Sequence, residues 1–167
     1  DNDNIQAGFD ATEYFIKKGC RHIAFIGGTK KLFVTQDRYT GYENALKEHQ
    51  LELDPQSTAF VTEFLEEKGY QFTKRLLANN PNIDAIITTD SLLASGVCDF
   101  LSSQNLTIPV LSFDSVDPKL DLAAYVDINT LELGRVSFQT ILQIINDTKE
   151  NRKICYRQLI SHKIIER

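Results

Sequence analysis

The sequence predicts an α/β fold: an open, mostly parallel sheet with helices on both faces. Two observations carry this reading. Short apolar segments alternate with helical patterns of about ten to fifteen residues along almost the whole chain, as βαβ units around a parallel sheet require. Four of those segments also run into polar or aromatic groups: His22–Ile26 into Gly27-Gly28, Ser57–Val61 into Thr62-Glu63-Phe64, Asp84–Ile87 into Thr88-Thr89-Asp90, and Val110–Phe113 into Asp114. In an open parallel sheet, ligands bind in the crevice beyond the carboxyl ends of the strands. Chemistry gathered at four such ends points to a small-molecule pocket.

The elements follow in order. Ile5, Phe9, Thr12 and Ile16 share one helical face, and Lys17-Lys18-Gly19 ends that helix with positive charge and a glycine cap. His22–Ile26 is a buried strand followed by a glycine pair and a polar loop. A helix over Asp37–Glu48 carries Tyr39, Tyr42, Ala45 and Leu46 at three- and four-residue spacing. Ser57–Val61 is the second strand, Gly69–Leu77 a helix, Asp84–Ile87 the third strand, Ser91–Leu101 a helix and Val110–Phe113 the fourth strand. A final strand is expected at Tyr156–Ile160. The helix Thr130–Asn146 is apolar on two sides, with Leu131, Phe138, Ile141, Leu142 and Ile145 on one and Leu133, Val136 and Ile144 on the other. A helix covering a sheet needs a single apolar face. This one is therefore either deeply buried or packed against protein outside this chain.

The 167 residues make one domain's worth of chain, with 42% apolar and 25% charged residues and a formal net charge of −5. Nucleic-acid surfaces announce themselves as basic stripes on basic domains, and neither is present. Cys20, Cys98 and Cys155 are odd in number and lack CxxC spacing, the usage of a reducing compartment. No apolar run approaches the ~18 residues of a membrane span, and no signal peptide opens the chain, so a cytoplasmic location is expected.

Gly27-Gly28-Thr29 lacks both GxGxxG and GxxxxGKS, so close backbone approach explains the glycines better than phosphate binding. Arg38 at a helix start sits against the dipole and must gain something there, such as a carboxylate or sugar hydroxyls; the alternative is a solvated surface arginine. Phe64, alone among Thr62, Glu63 and Glu66, stacks on a ligand or packs under its loop. Asp114 accepts from ligand hydroxyls or caps the following turn. Asp90 invites comparison with a phospho-acceptor, but that chemistry needs an acidic cluster where the first strand here ends in glycines. His22, His49 and His162 lack metal spacing, and no nucleophile elbow or acid–base pair appears. No enzyme activity, metal or cofactor is expected.

Taken together, these segments resemble the sugar-responsive repressors of the lactose-repressor (LacI/GalR) family. The matching text is Asp1-Asn-Asp-Asn-Ile-Gln-Ala-Gly8, Gly19-Cys-Arg-His-Ile-Ala-Phe-Ile-Gly-Gly28, Arg38-Tyr-Thr-Gly-Tyr42, Asp84-Ala-Ile-Ile87, Asp90 with Ala94 and Gly96, Ile108-Pro-Val-Leu-Ser-Phe-Asp114, Leu133-Gly134 and Lys163-Ile-Ile-Glu-Arg167. Within the family the chain is most similar to the maltose-operon repressors of Gram-positive bacteria. The resemblance implies a periplasmic-binding-protein-like (type I) effector domain, chiefly its C-terminal lobe over residues 1–128. It implies a helix over 129–150 returning to an N-terminal lobe, and the last strand and tail over 151–167. It implies a homodimer that meets operator DNA only through an N-terminal helix-turn-helix absent from this chain, and a small-molecule sugar effector. Carried over residue by residue, Arg38 and Asp114 match the family's hydroxyl-binding arginine and aspartate, and Phe64 matches its stacking aromatic. Thr89 stands where many members have asparagine. Ser115 replaces a second aspartate, and Asn129 stands where many members have proline. A periplasmic sugar-transport receptor, which shares the fold, is the alternative.

Overall fold

The computed structural model describes residues 1–114, 117–149, 152 and 154–167. Six strands form one sheet: β1 Ile23–Gly27, β2 Thr58–Phe60, β3 Ala85–Thr88, β4 Val110–Phe113, β5 Ala124–Asp127 and β6 Lys163–Glu166. The helices are α1 Asn4–Lys17, α2 Phe33–Glu48, α3 Glu66–Asn79, α4 Ser91–Ser103 and α5 Thr130–Lys149. The strand order is β2-β1-β3-β4-β5-β6. Every pairing is parallel except the last, in which β6 runs antiparallel to β5 with Val126 opposite Ile164. The expected open, mostly parallel sheet is present.

Why the central strands are apolar runs follows from their two-sided burial. Ile23 and Phe25 of β1 join Ile87, Leu111, Phe113 and Val126 beneath α1 and α2, where Phe15, Tyr42 and Leu46 pack. The alternate residues Ala24 and Ile26 join Ile86 and Val110 beneath α3 and α4, with Leu76, Val97 and Phe100. Each pair of helices closes through reciprocal glycines. A Cβ on Gly8 of α1 would fall 2.1 Å from the Arg38 carbonyl oxygen, and one on Gly41 of α2 would fall 2.1 Å from the Ile5 carbonyl oxygen. Gly69 and Gly96 do the same for α3 and α4, at 2.2 Å from the Leu93 oxygen and 1.8 Å from the Glu66 oxygen.

Several expectations are corrected. The buried face of α1 is Asn4, Ala7, Gly8, Ala11, Thr12, Phe15 and Ile16, leaving the Ile5 side chain exposed and Phe9 half-buried, while the backbone of Ile5, Gly8 and Phe9 lies against Gly41 of α2. Helix α2 starts at Phe33, a turn before Asp37, so Arg38 lies in its second turn and the argument from the dipole at the helix start does not apply. Tyr156–Ile160 is not a strand. Ile160 makes only an isolated parallel bridge to Asn2, and the sheet's sixth strand is Lys163–Glu166. Strand β5 was not expected at all. Gly19, at φ +96°, caps α1 as predicted, its N–H reaching the Ile16 carbonyl.

Deep burial of α5 is also contradicted. Asp147 is its only residue shielded from solvent among the described residues, while Leu131 is 87% and Phe138 63% exposed. The stripe of Leu131, Phe138, Ile141, Leu142 and Ile145 is therefore uncovered, while on the other side Ile144 is exposed and Leu133 and Val136 are half-buried. The chain after α5 returns beside it, the Thr140 hydroxyl meeting Gln158 and the Tyr156 hydroxyl donating to Asp147. His162 contacts Asp10 of α1 at 2.9 Å and His49 meets Glu13 at 3.4 Å, consistent with structural roles.

Candidate functional site

At the carboxyl edge of the sheet, β1 delivers Gly27-Gly28, β3 delivers Thr89 and Asp90, and β4 delivers Asp114. The centre of this group is Arg38, only 6% exposed although charged. Its Nη1 donates to the Thr89 carbonyl oxygen at 2.7 Å and its Nε to Asn4 Oδ1 at 3.0 Å. The guanidinium carbon lies 4.1 Å from the centroid of the Phe113 ring. Burial lowers the pKa of Arg38 to about 10, with Asp114 and then Asp90 pulling it back up. It remains cationic at neutral pH.

Two carboxylates face this cation. Asp114 adopts a left-handed backbone, φ +71°, and its N–H donates to the Val126 carbonyl at 3.1 Å. Asp90 caps α4, Oδ1 accepting from the Leu92 and Leu93 amides at 2.7 and 3.0 Å. Among the described residues, Asp90 Oδ2 and Asp114 Oδ1 are buried without a hydrogen-bond partner, and the Thr35 hydroxyl of α2 likewise. Burial raises the pKa of both acids; Arg38 opposes the rise in each, and the two carboxylates repel one another. Unpartnered buried oxygens in native proteins call for an explanation, and a ligand donor is one.

Phe64 and Thr89 take different places. The Phe64 ring lies so close on Gly28 that a Cβ there would be 2.1 Å from its Cζ, which gives the glycine a reason in close approach, as expected. The same ring also packs against the α3–α4 core, so stacking and packing share one side chain. The Thr89 hydroxyl accepts from the Gly28 amide at 3.1 Å and Thr89 is buried. Its side chain fastens two strand ends together, and its carbonyl orients Arg38.

The four expected residues are therefore contiguous: Asp114 and Thr89 flank Arg38, and Thr89 holds the Gly28 against which Phe64 rests. Asn4, Thr35 and the second oxygen of Asp90 are members of this group that sequence patterns do not announce; an asparagine or aspartate at a helix start reads only as a cap. Ser115 lies outside the described residues. A recess of about 540 Å³, lined in part by Cys98, Lys119 and Arg167, opens at the opposite edge of the sheet and contains none of these groups. Among the described residues no helix is long and apolar enough to cross a membrane.

A mostly parallel six-stranded sheet with helices on both faces is the architecture of periplasmic-binding-protein-like domains. The chain belongs to the family of periplasmic binding proteins and sugar-binding domains of the LacI family, which matches it over residues 1–166. It is 72% identical across its whole length to the HTH-type transcriptional regulator MalR of Streptococcus pneumoniae, spanning 51% of that protein. It is 30% identical over 164 residues to the ribose operon repressor of Haemophilus influenzae, covering 92% of this chain and 47% of that one. Among solved structures, a LacI-family regulatory protein from Chloroflexus aggregans superposes with a TM-score of 0.89 at 25% identity, over 100% of this chain and 61% of that chain. A LacI-type transcriptional regulator from Bacillus cereus subsp. cytotoxis gives 0.88 at 29%, over 100% and 60%. The chain thus spans about half the length of the curated relatives it matches.

Proposed function

We propose that this chain is the sugar-responsive, effector-binding and dimerising region of a transcriptional repressor, with maltose, a maltodextrin or a related sugar as effector. The observation that carries the reading is the buried Arg38, held by Thr89 and Asn4 beside two carboxylates that each keep one buried oxygen without a partner among the described residues. Fixed donors and acceptors of that kind suit vicinal hydroxyls, and the Phe64 ring suits the apolar face of a pyranose. The 72% identity to a transcriptional regulator favours regulation over transport.

In this reading residues 1–128 form the C-terminal lobe, 129–150 return to an N-terminal lobe, and 151–167 carry the last strand and tail. The uncovered apolar stripe of α5 through Phe138 and Ile141 supports that division. A sugar held between the lobes biases their relative orientation, and with it the spacing of two helix-turn-helix heads in a homodimer on operator DNA. Such a bias requires unequal affinity for the two orientations, not merely tight binding. The match to transcriptional regulators supports a binding protein rather than an enzyme, and the same relatives support a cytoplasmic site of action.

Calorimetric titration of the full-length protein with maltose, maltotriose and phosphorylated sugars tests this. Saturable heat with at least one sugar, abolished or weakened by Asp114→Ala, is expected. Absence of saturable binding to all of them would overturn the sugar assignment.

A further inference from the structure

Helix α1 is capped by Asp3, whose side chain accepts from the Gln6 amide at 3.0 Å. The amide side chain of Asn4, the next residue, is therefore not spent on capping, yet Asn4 is only 5% exposed. Burying an unneeded carboxamide costs free energy unless both ends are hydrogen-bonded. Both are. Oδ1 accepts from Arg38 Nε at 3.0 Å, and Nδ2 donates to the Asn2 carbonyl at 3.2 Å. Asn2 is fixed in turn, its own Nδ2 donating to the Ile128 carbonyl at 2.7 Å, just before α5 begins.

We propose that Asn4 is a positioning residue for the effector site, aiming the Arg38 guanidinium by holding its Nε. This rests on the reading of Arg38 as an effector contact. The geometry leaves Arg38 little freedom of its own. Thr89 takes Nη1, Phe113 supports one face of the plane, and Asn4 takes the remaining side of the fork at Nε. With Nε and Nη1 both engaged, the plane cannot rotate about its last bond, and Nη2 is presented in one direction. The crossing at Gly8, which brings the Arg38 carbonyl against α1, sets the distance over which Asn4 reaches. A planar fork held at two points is preorganised, so less order is lost when hydroxyls bind it.

The experiment uses full-length protein bearing Asn4→Leu, Asn4→Ala or Asn4→Asp, with two readouts. One is solvent exchange of the Arg38 Nε–H by nitrogen-15 NMR, its resonance identified by its absence in Arg38→Lys. The other is maltose affinity by calorimetry. Losing a hydrogen bond to a charged group predicts exchange and dissociation constant each raised roughly tenfold in Asn4→Leu and Asn4→Ala. Asn4→Asp keeps the acceptor and restores both to within about threefold of wild type, even if its melting temperature falls as far as that of Asn4→Ala. Equal protection of the Nε–H in wild type and Asn4→Ala would overturn the proposal, as would Asp failing to rescue. Wild-type protein that binds no sugar would sink the sugar assignment separately, while the exchange readout still decides the role of Asn4.

Discussion

Arg38 stacks on Phe113, guanidinium carbon to ring centroid 4.1 Å, so a cation more than nine-tenths shielded from water rests on the aromatic residue that precedes Asp114. The contact depends on a plane, as do the simultaneous bonds to Thr89 and Asn4. Lysine offers a point charge with neither the plane nor the Nε donor. Arg38→Lys should therefore weaken sugar binding by about tenfold or more while retaining the charge. Titration calorimetry on folded variant checks this; an unchanged affinity would show that charge alone suffices.

Asp114 gives a pH signature of unusual sign. Burial raises its folded pKa above the ordinary value of 3.8, Arg38 offsetting only part of the rise. Between those two values the native state holds more protons than the unfolded chain, so stability falls as pH rises through that window. Above it the ionised group is a standing cost. Asp114→Asn keeps the shape and tolerates the left-handed φ of +71°. It should raise the melting temperature at pH 7, the gain disappearing as pH falls below the unfolded value, while sugar affinity drops about tenfold. Thermal melts at several pH values, set beside calorimetry, read both arms.

How much of this was legible in the sequence follows from where each signal resides. Strands β1, β3 and β4 fall within a residue or so of their predicted bounds because burial on both faces makes them unbroken apolar runs. Strand β5 was missed because Ala124–Asp127 is short and only half-buried, with buried and intermediate residues alternating. Tyr156–Ile160 looks like a strand by composition, yet pairing falls to Lys163–Glu166, whose register along β5 is a tertiary matter. Asp114 is a charge at a strand end and Arg38 carries the family pattern, although α2 begins a turn before it and the helix-start reading of Arg38 fails. Asn4 could not, since its distance from Arg38 in sequence is bridged only by the packing of α1 on α2.

The glycine crossings predict a graded series. At Gly96 an added methyl would lie 1.8 Å from a backbone oxygen of α3, so α3 and α4 must separate. At Gly28 the obstacle is the Phe64 ring, which can swing aside. Gly96→Ala should cost about 2–4 kcal/mol of stability and Gly28→Ala about 1–2 kcal/mol, by the usual scale of overpacking. Gly28→Ala should nevertheless lose more sugar affinity per kcal/mol, because the displaced ring belongs to the proposed site. Denaturant unfolding and calorimetry on the two variants separate these effects.

Helix α5 yields the last prediction. Phe138 and Ile141 stand 63% and 55% exposed on the same stripe, a contiguous apolar surface of the kind that marks interaction sites. The 167-residue chain on its own should therefore self-associate in a concentration-dependent way. Phe138→Lys combined with Ile141→Lys should suppress that association. Their exposure means little core packing is lost, so the melting temperature of the sheet domain should shift by no more than about 2–4 °C. Light scattering across a concentration series, with melts on the same samples, checks both. Association that persists in the double variant would place the sticky surface elsewhere. Loss of the thermal transition would mean instead that α5 is packed into the domain more tightly than its uncovered stripe indicates.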